Sequence, residues 1–108
     1  MGSRYKQFYL GKGIPKNDTD SKPLKGVPNT NLDTYNSTTG VFRSRRKFGS
    51  TGFAVKDMDV SDEKHPIDHV HDFVNGKRIK KPRIPTKKER REFRKAKRKR
   101  RFYRKWLI

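Results

Sequence analysis

The sequence contains no cysteine among its 108 residues. This absence excludes disulfide cross-links, cysteine-ligated zinc and cysteine nucleophiles. Hydrophobic residues make up only 29% of the chain, so we expect a small core, with part of the chain forming an arm or tail. No apolar run approaches the roughly 18 residues of a membrane-spanning helix, and the first residues lack the apolar stretch of a secretory signal peptide. We therefore expect one soluble, cytoplasmic domain with no membrane association.

Acidic residues are scarce at one end of the chain. The 30 Lys and Arg outnumber the 11 Asp and Glu, which gives a formal net charge of +19. Residues 1–76 hold 12 basic and 9 acidic residues, a net charge of +3, whereas residues 77–108 hold 18 basic and 2 acidic residues, a net charge of +16. Such a basic segment repels itself and indicates a polyanionic partner, which would be nucleic acid, an acidic protein or an anionic membrane surface.

The chain divides into three segments. Residues 1–40 are rich in glycine, proline, asparagine and aspartate, which predicts an irregular, turn-rich N-terminal arm. Residues 41–81 are predicted to form an antiparallel β body with the candidate site. Residues 86–108 are predicted to form a basic C-terminal helix that begins with a capping box at Thr86 and Glu89. The predicted fold class is therefore α+β, a small antiparallel sheet built from two hairpins with a long basic C-terminal helix and an irregular N-terminal arm.

Two turn motifs define the predicted hairpins. Gly49-Ser50-Thr51-Gly52 connects residues 41–48 to residues 53–60, and its two glycines can adopt positive φ angles. Asn75-Gly76 follows the strand-like residues 67–74, and this dipeptide is the strongest short-range hairpin signal.

The first strand of the first hairpin carries an excess of positive charge. Period-two alternation places three cations on one face: Arg43, Arg45 and Lys47. A bound anion would relieve their mutual repulsion; the alternative is a solvated strand face. Pairing Phe48 with Phe53 across the turn puts Arg46 opposite Val55. The returning strand and the loop after it carry several carboxylates: Asp57, Asp59, Asp62 and Glu63. These could hold Mg²⁺ or orient a histidine, but the simpler interpretation is that they balance the arginines across the hairpin.

All three histidines lie close together in the sequence, at His65, His69 and His71. His69 and His71 share a strand face and could share a zinc ion. However, His65 precedes a proline in a loop and no carboxylate is clearly placed to complete the ligand set, so no metal and no cofactor are predicted. The second hypothesis is acid–base catalysis, because imidazole takes and gives protons near neutral pH. Under it, His69, His71 and His65 are the predicted catalytic residues; the alternative is surface histidines bonded to Asp68 or Asp72.

The predicted nucleic-acid contacts come from the β body and from the basic tail. They are Arg43, Arg45, Arg46, Lys56, Arg91, Arg94, Lys95, Arg98, Arg101, Tyr103 and Trp106. Lys and Arg follow the phosphate backbone with an affinity that falls steeply with salt, and the aromatic residues can stack on bases. Packing of the tail against the body is the alternative, and RNA ranks ahead of DNA. In RNA cleavage, the cations of the β body would stabilise the charge that develops on phosphorus; they are Arg43, Arg45, Arg46 and Lys56.

The middle of the chain resembles a known group of proteins. An aromatic-Gly-x-x-Gly turn leads into a strand ending Lys-Asp-Met-Asp, followed by His65-Pro66, by His69-Val70-His71-Asp72-Phe73 and by Gly76-Lys77-Arg78. Over residues 42–78 this order resembles the C-terminal modules of bacterial polymorphic toxins and small phage or prophage proteins, except that Phe73 stands where tryptophan is common.

The resemblance implies a small fold of the barnase, EndoU or RelE-like ribonuclease type. The implied function is RNA binding with metal-independent cleavage by 2′-OH transesterification, in a toxin-like or phage-encoded protein. The implied site is lined by the cationic strand, by Lys56 and by the pair His69 and His71. An acidic immunity or antitoxin protein would be a fitting partner by charge. The alternative is a non-catalytic nucleic-acid-binding protein associated with a ribosome or virion through its basic tail.

Overall fold

The computed structural model describes residues 22–36 and 39–98, together with the backbone of two strands nearer the N-terminus. The elements are β1 (Tyr5–Tyr9), β2 (Ile14–Lys16), β3 (Asn31–Asn36), β4 (Phe42–Phe48), β5 (Ala54–Asp59), β6 (His69–Val74), β7 (Lys77–Arg78) and α1 (Lys87–Arg98). The strands form one antiparallel sheet in the order β2-β1-β3-β4-β5-β6-β7. One sheet and one C-terminal helix confirm the predicted α+β class.

Strand β3 corrects the expectation that residues 1–40 are irregular. Asn31–Asn36 is an inner strand between β1 and β4, and its four central residues are buried. Asparagine, aspartate and threonine make this segment resemble a loop in sequence. They are accommodated in a strand because β4 supplies their partners: Arg45 binds Asp33, and Ser44 shares a hydrogen bond with Thr34. Strands β1 and β2 extend the sheet beyond β3, again within the segment expected to be irregular.

The first hairpin forms, but its register differs from the prediction. Phe48 pairs with Ala54 rather than Phe53, and Arg46 pairs with Asp57 rather than Val55, with a β-bulge between Lys47 and Phe48. The shift brings Arg46 opposite a carboxylate, with which it forms a buried ion pair. Because the offset at Arg46 is two residues, the same faces are retained. Alternate residues of β4 are indeed buried, and the residues between them are half-buried.

The local signals at the second hairpin and at the helix start are confirmed. Asn75 and Gly76 form the turn between β6 and β7 with φ angles of 51° and 78°. At the start of α1, the Thr86 N–H donates to Glu89 Oε1 over 2.8 Å, and the Glu89 N–H donates to Thr86 Oγ1 over 3.2 Å. The helix is described as far as Arg98, so the predicted continuation of the helix lies outside the described residues. In the portion of the chain that is described, no helix has the length and apolar character needed to span a membrane.

The two faces of the sheet carry separate cores. On the first, which we call the helix face, Phe93 and Ala96 of α1 pack with four residues of the sheet: Tyr35, Phe42, Met58 and Val70. On the opposite face, Leu32, Phe48 and Ala54 pack with Phe73. A segment preceding β3 crosses this core closely: a Cβ added to Gly26 would lie 2.7 Å from the Phe48 ring, so glycine is required there.

Cross-strand pairing determines which polar residues belong to each face, because residues directly opposite each other point the same way. One row runs Leu32, Arg46, Asp57, His71. We call this side the histidine face. The neighbouring row runs Asp33, Arg45, Met58, Val70, and it lies on the helix face.

Candidate functional site

The three histidines predicted to be catalytic come together in space. The ring centroids are 4.4 Å apart for His65 and His69, 5.2 Å for His69 and His71, and 6.3 Å for His65 and His71. His69 and His71 share the histidine face because they are two residues apart on β6. His65 is positioned by Asp62, whose Oδ1 accepts hydrogen bonds from the His65 and Lys64 backbone N–H groups. We call these three residues the histidine cluster.

Hydrogen bonds to backbone carbonyls set the orientation of two of the rings. His69 Nδ1 lies 3.0 Å from the Ile67 carbonyl oxygen, and His71 Nδ1 lies 2.9 Å from that of Ile79. A carbonyl oxygen only accepts, so each Nδ1 carries the hydrogen, and in the neutral imidazole Nε2 carries the lone pair. Both Nε2 atoms face Asp59 Oδ2, at 3.8 and 3.9 Å. These separations are too long for hydrogen bonds.

The carboxylates beside the cluster have different partners. Asp57 accepts hydrogen bonds from Arg46 Nε and Nη2 at 2.7 and 2.8 Å and from Arg78 Nε at 2.8 Å. The pair of Arg46 on β4 with Asp57 on β5 confirms, for Asp57, the prediction that carboxylates balance the arginines across the hairpin. Burial opposes ionisation of Asp57, but the hydrogen bond from Arg46 and the charge of Lys22 outweigh it, so the pKa of Asp57 is lowered. Asp59 lies opposite His69 across β5 and β6 and accepts a hydrogen bond from Arg78 Nη2 at 2.9 Å.

Lys22 joins the histidine face from a segment where no site residue was predicted. Its Nζ donates to Ser44 Oγ over 2.5 Å, and Ser44 Oγ lies 2.6 Å from Thr34 Oγ1. Burial lowers the pKa of Lys22, although the charges of Asp57 and Asp59 oppose the change. Sequence reasoning missed Lys22 because it lies 22 residues from Ser44 and no local pattern marks it.

Most of the cations predicted to line a site with the histidines are separated from them by the sheet. Arg45 donates to Asp33 Oδ1 at 2.8 Å and to Glu92 Oε2 at 2.7 Å, on the helix face. Lys56 donates to Glu89 on the same face. Arg46 shares the histidine face but is held in its buried pair with Asp57, and Arg43 is half-buried on β4. The predicted site is therefore divided by the sheet, because successive residues of a strand point to opposite faces.

The two acids of α1 both turn toward the sheet. Glu89 accepts hydrogen bonds from Arg83, Lys56 and the Thr86 backbone, and chiefly the Arg83 hydrogen bonds hold the pKa of Glu89 far below its ordinary value. Burial opposes ionisation of Glu92, but Lys47 and Arg45 outweigh it and lower its pKa. These contacts fix the orientation of the helix.

The opposite side of α1 is cationic. At 3.6 residues per turn, six exposed basic residues fall within an arc of about 120°. They are Lys87, Lys88, Arg91, Arg94, Lys95 and Arg98, and we call them the cationic helix face. Within residues 22–36 and 39–98, no carboxylate lies within ion-pair distance of any of them. Four are predicted nucleic-acid contacts: Arg91, Arg94, Lys95 and Arg98. The other predicted tail contacts, Arg101, Tyr103 and Trp106, lie outside the described residues.

Comparisons with protein-family models, with curated proteins and with solved structures give no match. The resemblance to toxin modules stays a prediction, and function has to be argued from the geometry and charge of these two surfaces.

Proposed function

We propose that the protein binds RNA through the cationic helix face. One observation supports this proposal above the others. Both acidic residues of α1 form ion pairs with the body, so the six exposed cations on the opposite side of the helix have no acidic neighbours on α1 to balance them. Like charges one turn apart on a helix destabilise it, and a phosphate backbone would relieve that repulsion while releasing its counterions.

The helix displays these cations on a rigid support. Phe93 and Ala96 are buried in the core, and Glu89 and Glu92 are tied to side chains of the sheet. Less ordering is therefore required on binding than for a free basic tail. A shallow groove lined by Lys88, Arg91, Lys95 and Glu92 follows this side of α1. Contacts of this kind position a protein on phosphates without reading base sequence. We place RNA in the cytoplasm ahead of DNA as the ligand because of the resemblance of residues 42–78 to ribonuclease-type modules.

The experiment measures binding of a fluorescent single-stranded RNA by anisotropy over a series of salt concentrations. Each lost phosphate contact should make the slope of log affinity against log salt shallower by about 0.7. The variant Lys88→Gln/Arg91→Gln/Lys95→Gln should therefore have a slope shallower by about 2 and, near 0.1 M salt, an affinity about 10- to 100-fold lower.

The matched control is Lys64→Gln/Lys80→Gln/Lys81→Gln. It removes the same charge from exposed residues of the body and should retain most of the affinity. An equal loss of RNA affinity in both variants would show that α1 is not the binding surface. Absence of RNA binding at low salt would reject the proposal. Tighter binding to DNA of the same sequence would reject the choice of RNA.

Cleavage of bound RNA stays a prediction, as does an acidic immunity or antitoxin partner. The histidine cluster favours cleavage because it assembles three imidazoles within 6.3 Å. Incubation of total RNA with the protein in EDTA should then yield fragments ending in 2′,3′-cyclic phosphate. Intact RNA at equimolar protein would favour the non-catalytic alternative, binding to a ribosome or virion through the basic tail.

A further inference from the structure

Two histidines direct unpaired Nε2 atoms, and one aspartate directs a carboxylate oxygen, at a common point on the histidine face. We propose that Asp59, His69 and His71 bind a divalent transition-metal ion of the zinc class. The sequence predicted no metal because no carboxylate was clearly placed to complete the ligand set. Strand β5 supplies this carboxylate, because its register with β6 places Asp59 directly opposite His69.

The first line of support is the state of the two imidazoles. Their Nδ1 atoms are engaged with backbone carbonyls of Ile67 and Ile79, which is the outer hydrogen bond that metal-ligating histidines usually make. Their Nε2 atoms have no hydrogen-bond partner among the described residues, although the side chains are only 5% and 4% exposed. Buried polar atoms left unpaired in this way call for a ligand.

The second line of support is the separation of the donor atoms. The three ligand atoms all lie within 4.8 Å of one another. Zinc bonds of about 2.1 Å place tetrahedral ligand atoms about 3.4 Å apart. The Asp59 Oδ2 to Nε2 distances of 3.8 and 3.9 Å can therefore close onto an ion through small side-chain movements. Without an ion, the Nε2 lone pairs of the two neutral imidazoles face the Asp59 carboxylate oxygen, and these electron-rich atoms repel one another. A divalent cation between them would attract all three.

The charged neighbours are arranged to hold the carboxylate. Arg78 donates to Asp59 Oδ2 and also to Asp57, and Asp57 is further neutralised by Arg46. The Asp59 Oδ2 atom has a second lone pair, so the Arg78 hydrogen bond can hold the carboxylate in place while the same oxygen faces the two Nε2 atoms. The positive charges of Arg78 and Lys22 reduce the attraction for a cation, so retention of the ion depends on its direct bonds to nitrogen and oxygen.

The donor set narrows the choice of metal. Imidazole nitrogen favours zinc, copper, iron and nickel over magnesium and calcium, which prefer oxygen. Three protein ligands leave a fourth tetrahedral position, as in catalytic zinc sites. The side chain of His65 is 38% exposed, and its ring centroid lies 4.4 Å from that of His69 with the two rings tilted by 33°. His65 lies beside the ligands without belonging to the triad.

The test uses the full-length chain without a histidine tag, stripped with EDTA and dialysed. Calorimetric titration with Zn²⁺ should show one site per chain, and Co²⁺ should give the visible absorption of a tetrahedral complex. Zn²⁺ should also raise the unfolding temperature, because it binds the folded state. In the wild-type protein, NMR should show the Nε2 resonances of His69 and His71 shifting with Zn²⁺ while both Nδ1 hydrogen bonds persist. This last measurement needs no variant that might unfold.

The decisive variant is Asp59→Asn, which keeps an oxygen for Arg78 and should weaken Zn²⁺ binding by about 100-fold or more. The matched control His65→Gln should change affinity less than about tenfold, since an outer residue contributes less than a ligand. Absence of Zn²⁺ binding at micromolar concentrations, unchanged affinity in Asp59→Asn, or equal loss in His65→Gln would each overturn the proposal. RNA affinity of the EDTA-treated chain is measured separately, so failure of the metal site leaves the RNA proposal untouched.

Discussion

The helix face and the histidine face both contain buried charges, but they use them differently. On the helix face, Glu89 and Glu92 each receive hydrogen bonds from cations of the body. On the histidine face, Asp57 is equally well satisfied, yet the Nε2 atoms of His69 and His71 have no hydrogen-bond partner in the described residues. Satisfied ion pairs hold the helix and hairpin in place, whereas buried nitrogen atoms with unpaired lone pairs identify the side of the sheet that is suited to a ligand.

The ion pairs of the helix face correct the interpretation that the cations of β4 bind an external anion. Arg45 and Lys47 of β4 were expected to attract an external anion, but they bind Asp33 and Glu92 within the protein. The structure instead groups six exposed cations together on α1. We therefore expect RNA binding on the helix side of the sheet and any catalysis by the histidine cluster on the opposite side.

The largest effect is expected from Asp57→Asn on the histidine face. The substitution leaves Arg46 buried opposite a neutral amide, with Lys22 and Arg78 nearby, and breaking a buried ion pair of this kind costs about 3–5 kcal/mol. Urea unfolding followed by circular dichroism measures the change. Glu63→Gln, at an exposed loop residue, is the control and should change stability little. Similar values for the two variants would mean that the Asp57 network does not stabilise the fold.

Glu89→Gln should have the next largest effect, on the helix face. The glutamine retains an acceptor for the Thr86 N–H, but Arg83 and Lys56 lose their ionised partner. Because Arg83 is 37% exposed, solvent screens part of the loss, and we expect about 2–3 kcal/mol. Chemical unfolding provides the measurement, with exposed Glu63→Gln as the control. A cost as large as that of Asp57→Asn would show that the two networks are equally important.

Acid should weaken attachment of the helix. The pKa values of Glu89 and Glu92 are lowered in the folded state from an ordinary 4.5, so the unfolded chain binds more protons as the pH falls. Their contribution is fully present above about pH 5 and is lost progressively below it. The free energy of unfolding of the wild-type protein should decline from pH 6 to pH 3, and that of Glu89→Gln should decline less steeply. An identical slope in the variant would contradict this assignment.

The smallest effect is expected at the β6–β7 turn, which carries the chain to Arg78. Asn75 has a φ of 51°, a conformation that alanine adopts with strain, so Asn75→Ala should cost about 1 kcal/mol. Asn75→Gly should be close to neutral because glycine adopts this φ freely. The difference between the unfolding midpoints of these two variants is the measurement. Equal stability would show that the turn does not restrain β7.

Signals that act over a few residues were sufficient for part of the fold. The capping box at Thr86 and Glu89, the turn at Asn75 and the alternating burial of β4 depend on near neighbours, and all three are confirmed. Strand β3 was missed because its polar residues become compatible with burial only through partners on β4. The register of the first hairpin was wrong because the Arg46–Asp57 pair requires a bulge that the turn motif does not indicate.

Charge counts do not depend on folding, so the separation into a nearly neutral body and a strongly basic segment is readable from the residues alone. The sequence also groups the histidines, which lie within seven residues of one another. Which charges form ion pairs, and which imidazole nitrogens stay unpaired, depends instead on how the strands are arranged in three dimensions. Arg45 meets Glu92 from 47 residues away and Lys22 meets Ser44 from 22 residues away. Asp59 reaches His69 only because β5 and β6 are neighbours in the sheet. Strand order and register determine such contacts, and both follow from burying the two faces of the whole sheet rather than from any local pattern.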